Sequence, residues 1–234
     1  MRIQLPKHMI KFLTFADVFS LINGCLGFLA IIILFSFITS FDVIRVSFSF
    51  ILLALLADGL DGIIARKKRA SELGEYLEAM ADMISMGIAP SVFVFKIYYD
   101  SSSSGLFLQF AFIIVLILFV ICSIIRLSSF HLMKNEAYFV GIPASASTIF
   151  LLIAAFIKIN YLYILALIII LSFATISNIR FPKPGIKVNA IASILIITTL
   201  VMGELYNNLA PLLLFSALAI YVLAGPFYVR RLKK

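Results

Sequence analysis

Residues 106–125 read LFLQFAFIIVLILFVICSII and contain no charged side chain. The hydrocarbon core of a bilayer takes about 20 largely apolar residues of helix, and this run meets that length unaided. Inside hydrocarbon no water is available to the backbone, so each N–H and C=O must pair within the helix itself. Working outward from it, the whole chain divides into about eight such runs, at approximately 18–38, 46–65, 74–98, 106–126, 142–158, 161–179, 189–205 and 208–228. The short gaps predict tight helical hairpins, and hence an all-α, polytopic integral membrane bundle without internal repeats. The first six runs, with residues 1–185, are expected to form a core, and residues 186–234 to add two more helices to the same bundle.

Composition agrees. The 234 residues are 63% hydrophobic and 13% charged, with 23 phenylalanines. A soluble domain carries about 25% charged residues, so a cytosolic globular enzyme is excluded. Seven prolines, 11 glycines and two cysteines exclude collagen, disorder and a disulfide scaffold as well. The apolar run after Lys11 continues for roughly 20 residues, beyond the about 7–15 of a signal peptide, and reads as a retained span. Cys25 and Cys122 fall inside apolar runs and behave as small hydrophobes. His8 and His131 stand singly, and Ser101–Ser104 reads as an exposed loop.

Charge sets the orientation. With both termini cytoplasmic, all but Arg45, Lys96 and Lys158 of the 19 basic residues lie on one side, which requires an even number of spans. The net charge of +8 is spread over span ends, so topology and anionic head groups explain it, and nucleic acid is not expected as a partner.

The acids carry more information. Six of the 11 fall between Asp58 and Asp82, at the end of the second run and the start of the third. A carboxylate in a membrane span is costly and points to function. Asp58 and Asp61 share one helix face, and Glu78 and Asp82 share another with Gly74 a turn earlier. The basic turn Arg66–Arg69 joins the two helices antiparallel, bringing four carboxylates together near the cytoplasmic surface. Four like charges require a cation among them, and hard oxygen donors suit magnesium, manganese or calcium. Gly59, Gly62, Ala65 and Gly74 are small enough for close approach, and Arg66 can grip a phosphate in two places. Together these residues suggest a metal-assisted pyrophosphate site. The bland alternative makes the glycines packing residues and Arg66–Arg69 a topology signal.

The spacing Asp58-x2-Asp61-Gly62-x2-Ala65-Arg66-x7-Gly74-x3-Glu78-x3-Asp82 resembles the signature of the CDP-alcohol phosphotransferases. Every fixed position matches except Glu78, where the family pattern has aspartate. LEAMADMISMGIAPS (residues 77–91), SLINGCLGF (20–28), RLSSF (126–130), YFVGIPA (138–144) and SNIRFPK (177–183) are similar to segments of its phosphatidylserine synthase branch, including archaeal members. The resemblance implies transfer of a lipid phosphoryl group from CDP-diacylglycerol or CDP-archaeol to L-serine, with release of CMP. It implies two divalent ions, magnesium or manganese, on Asp58, Asp61, Glu78 and Asp82, with Asp82 as general base. Asp58, Gly62, Ala65, Arg66 and Gly74 would contact the nucleotide and its phosphates. Asn23 would either orient the nucleotide or make an interhelical hydrogen bond. Arg126, Arg180 and Lys183 end up on the same side as the site and are the candidates for holding the acceptor's carboxylate. A homodimer is implied too. Inositol phosphate and glycerol phosphate are the rival acceptors. A transporter is the rival class, but its sites usually sit near the midplane between repeats. A bare scaffold gives no reason to keep four costly carboxylates.

Overall fold

The computed structural model describes residues 13–36, 42–65, 73–101, 105–129, 138–203 and 205–231. Helix α1 spans Phe15–Leu34 and α2 Val43–Ala65. Helix α3 (Gly74–Asp82) runs without a break through a π-helical segment, Met83–Ile88, into α4 (Ala89–Ser101). Then come α5 (Leu106–Ser129), α6 (Ala144–Phe156), α7 (Tyr161–Thr175), α8 (Ile186–Met202) and α9 (Leu205–Arg231). Counting α3 to α4 as one rod, the helices follow the eight apolar runs. Among the described residues, four stretches, within α1, α3 to α4, α5 and α9, are long and apolar enough to cross a membrane. The helices Ala144–Phe156 and Tyr161–Thr175 are shorter than that criterion.

Two acids outside the cluster have local structural tasks. The Asp17 carboxylate accepts from the Thr14 backbone N–H at 2.6 Å and from its hydroxyl at 2.9 Å, closing the first turn of α1. Asp42 Oδ1 accepts from the N–H groups of Ile44 at 3.1 Å and Arg45 at 3.2 Å, capping α2. Both place negative charge at a positive helix end.

Helix α6 is the axis of the bundle. Every residue from Ala146 to Phe156 is buried, as expected for a helix that is apolar all round. Phe156 stacks on Phe48 of α2, centroids 4.1 Å apart, and Phe150 meets Phe215 of α9 edge-on at 5.0 Å. The outer faces are apolar as well: Phe107 and Ile114 of α5 are 82% and 65% exposed. Such surface would drive association in water and is ordinary against lipid.

Helix α1 crosses the α3 rod closely. A Cβ on Gly27 would stand 2.7 Å from Ser85 Cα, whereas one on Gly24 would keep 3.4 Å from Ala81. Only glycine allows the approach at residue 27, the way small residues bring membrane helices together. In the π segment the backbone ladder is loosened, and the buried Thr148 hydroxyl of α6 donates to the Met86 carbonyl at 2.8 Å. That bond ties the rod to the central helix one turn beyond Asp82.

The departure from an all-helical expectation is a small ribbon. Strand β1 (Tyr138–Val140) pairs antiparallel with β2 (Arg180–Pro182), Phe139 opposite Phe181. Gly141 follows at φ +76°, where a side chain would run into the Thr175 carbonyl. The Tyr221 hydroxyl of α9 donates to the Pro182 carbonyl at 2.9 Å, so the last helix anchors the ribbon.

Candidate active site

The C-terminal ends of α2 and α5 and the N-terminal ends of α3 and α6 meet at one end of the bundle. Between them lies a cavity of about 140 Å³. Asp58 of α2, Glu78 and Asp82 of α3, and Arg126 of α5 line it, with Phe139 of the ribbon and Ser145 of α6. Arg45 near the start of α2, Lys96 in the second half of α4 and Lys158 just after α6 lie away from this end of the bundle.

Asp58, Glu78 and Asp82 each offer a carboxylate oxygen within 4.8 Å of the others. At that separation two carboxylates repel by about 3 kcal/mol even at an effective dielectric near 20. Asp82 is buried, and Asp58 and Glu78 are half-buried. Three hard, anionic oxygen donors converging on one point fit a divalent cation of the magnesium or manganese class. The longer arm of Glu78 still brings its oxygen into the cluster.

Asn23 lies behind the cluster. Its side chain is fully buried, and Nδ2 donates to Asp82 Oδ1 at 2.8 Å. Of its two sequence readings the structure shows the interhelical hydrogen bond, and the partner is the carboxylate at the end of the motif. Asp61, Gly62 and Ala65 stand on the last turns of α2 with their side chains outside the described residues, and Arg66 lies outside them altogether. Gly74 opens α3.

The three candidate acceptor cations separate. Arg126 is 6% exposed and forms part of the cavity wall. Arg180 is exposed, its guanidinium 4.9 Å from the Tyr138 ring centroid. Lys183 Nζ sits 5.3 Å from the centroid of Phe139, the ring that lines the cavity. Phe139 and Ser145 are site residues that sequence spacing does not single out, because nothing in their residue types marks them. Phe139 falls within YFVGIPA, so that stretch was the available signal.

Comparison with known proteins adds to this geometry. The model of the CDP-alcohol phosphatidyltransferase family matches residues 13–225, taking in α8 and most of α9. The chain is 32% identical over 176 residues to a CDP-diacylglycerol–serine O-phosphatidyltransferase of Methanocaldococcus jannaschii, covering 74% of this chain and 76% of that one. It is 30% identical over 188 residues to an archaetidylserine synthase of Methanothermobacter thermautotrophicus, covering 76% and 73%. A CDP-diacylglycerol–serine O-phosphatidyltransferase of Saccharomyces cerevisiae is 31% identical over 148 residues, 58% of this chain and 51% of that protein. With nearly its whole length matched and the acidic signature gathered in one cavity, the chain belongs to the CDP-alcohol phosphatidyltransferase family.

Proposed function

We propose that the protein transfers a lipid phosphoryl group from a CDP-linked lipid to the hydroxyl of L-serine, releasing CMP. The observation that carries this is the single cavity in which Asp58, Glu78 and Asp82 face a buried arginine, Arg126. The names of the relatives support serine as the acceptor, and both CDP-diacylglycerol and CDP-archaeol remain donors.

In the reaction the serine oxygen attacks the phosphorus that bears the lipid. A bond forms from serine oxygen to that phosphorus, and its bond to the bridging oxygen of the pyrophosphate breaks, freeing CMP. Asp82 accepts the hydroxyl proton as oxygen attacks, a transfer that contributes about 10²–10⁴-fold to rate. Asp58, Glu78 and Asp82, joined by Asp61, would hold two magnesium or manganese ions. Bound there, the ions would offset charge on the pyrophosphate and the leaving CMP. Gly62, Ala65, Arg66 and Gly74 take the nucleotide and its phosphates by match to the family signature.

Arg126 binds the serine carboxylate. A buried guanidinium meets a carboxylate through two parallel hydrogen bonds and needs no further cation. A phosphorylated acceptor calls for several cations together. Among the described residues Arg126 is the one cation on the cavity wall, which favours a carboxylate. The positive-inside rule puts the active end and both termini in the cytoplasm, and a homodimer follows from the family resemblance alone.

The acceptor assignment has its own test. Removing a charge-assisted pair costs about 1.5–3 kcal/mol. Arg126→Ala is therefore expected to raise the KM for serine about 10- to 100-fold, with the KM for the CDP-lipid within about threefold. Arg180→Ala, on the exposed ribbon, is expected to change the serine KM by less than about threefold. Initial rates over a serine series decide it, and an unchanged serine KM in Arg126→Ala removes this residue from the acceptor site.

A further inference from the structure

Asn23 is a fully buried amide on α1, facing a carboxylate 59 residues away in sequence. A carboxylate only accepts, so the amide is oriented with Nδ2 toward Asp82 and its oxygen turned away. That oxygen, Oδ1, has no hydrogen-bond partner. A buried acceptor without a donor is destabilising, and each such group in a folded protein calls for a reason. An apolar side chain would pack against α3 without that cost. Asn23 also lies outside the cavity wall, whereas Asp82 is on it, so among the described residues the amide meets the site through the carboxylate it holds. The close crossing at Gly27 and Ser85, one turn further along α1, sets the distance between the two helices.

We propose that Asn23 is a positioning residue for Asp82. Its amide pins Oδ1 and thereby fixes the rotamer in which the carboxylate faces Asp58 and Glu78. This rests on the ligand and base roles given to Asp82 above. Partners behind a ligating carboxylate typically carry about 10- to 100-fold in metal affinity or activity.

The test uses the full chain in detergent, with manganese(II) as the probe. Free Mn²⁺ is followed by electron paramagnetic resonance during titration in the presence of CDP, and CMP release is measured separately with the CDP-lipid and serine. In Asn23→Leu the Mn²⁺ dissociation constant is expected to rise about 10-fold and kcat to fall about 10- to 100-fold. The KM for serine is expected to stay within about twofold, a split that a loosened fold does not produce. Asn23→Ser, which is smaller and cannot reach Asp82, is expected to behave alike while keeping the helical circular dichroism and unfolding temperature of the wild type. Mn²⁺ binding and kcat within twofold of wild type in either folded variant would overturn the proposal. Loss of helical signal in both would overturn it too, assigning Asn23 to the fold alone. Wild-type protein that binds Mn²⁺ yet releases no CMP would count against the transferase, leaving the role of Asn23 to be judged on Mn²⁺ binding.

Discussion

Asp82→Asn is expected to lower CMP release by at least about 10³-fold, with the protein still folded. The substitution exchanges one carboxylate oxygen for an amide nitrogen and leaves the volume unchanged. Asn23 Nδ2 donates to Asp82 Oδ1 at 2.8 Å, and an amide oxygen in that place accepts the same bond. The contact between α1 and α3 therefore persists, while the negative charge and the proton acceptor are lost. A general base alone contributes about 10²–10⁴-fold, and loss of a ligand charge adds to it. The checks are CMP release under saturating substrates and thermal unfolding followed by circular dichroism. Activity within tenfold of wild type would take the base role away from Asp82.

Glu78 carries the second large effect. The family signature has aspartate at this position, and here an extra methylene is present. The carboxylate nevertheless reaches the cluster, with an oxygen within 4.8 Å of those of Asp58 and Asp82. The glutamate arm thus has the length that this arrangement of α2 and α3 requires. Glu78→Gln keeps the length, removes the charge and is expected to reduce kcat by about 10²-fold or more. Glu78→Asp keeps the charge and draws the oxygen back by about one bond. A misplacement of about 1 Å at a reacting centre costs on the order of 100-fold, so the family's own residue is expected to be the poorer one here. The pair is read from kcat with magnesium and with manganese in parallel. Full activity in Glu78→Gln would remove this residue from the metal site.

Much of the architecture is legible because a bilayer constrains sequence so strongly. Runs such as residues 106–125 announce helices by length and apolarity, and α5 occupies Leu106–Ser129. The acidic site is legible for a related reason: carboxylates at helical spacing in so apolar a chain are costly unless a cation or a hydrogen-bond donor meets them. Asp17 and Asp42, which stand apart from the cluster, meet backbone N–H groups as helix caps. Other features leave weaker traces. The ribbon of Tyr138–Val140 and Arg180–Pro182 has strands of three residues each, too short for an alternating pattern to register. The π segment Met83–Ile88 differs from the helix around it by one backbone register, which apolar periodicity does not resolve. Burial is what separates Arg126 from Arg180, two arginines that look equivalent at the ends of apolar runs. The bond from Asn23 to Asp82 is a tertiary contact between α1 and α3, and no local spacing encodes it.

The most direct test of the central claim is CMP release by the purified protein in detergent. CDP-diacylglycerol or CDP-archaeol serves as donor, magnesium or manganese is present, and each alcohol is offered in turn. The expected result is release that requires a divalent ion and L-serine, with inositol phosphate and glycerol phosphate giving little above the background without acceptor. Release that follows a phosphorylated acceptor and ignores serine would contradict the assignment of Arg126 and the acceptor. No release with any donor and any alcohol would contradict the transferase itself.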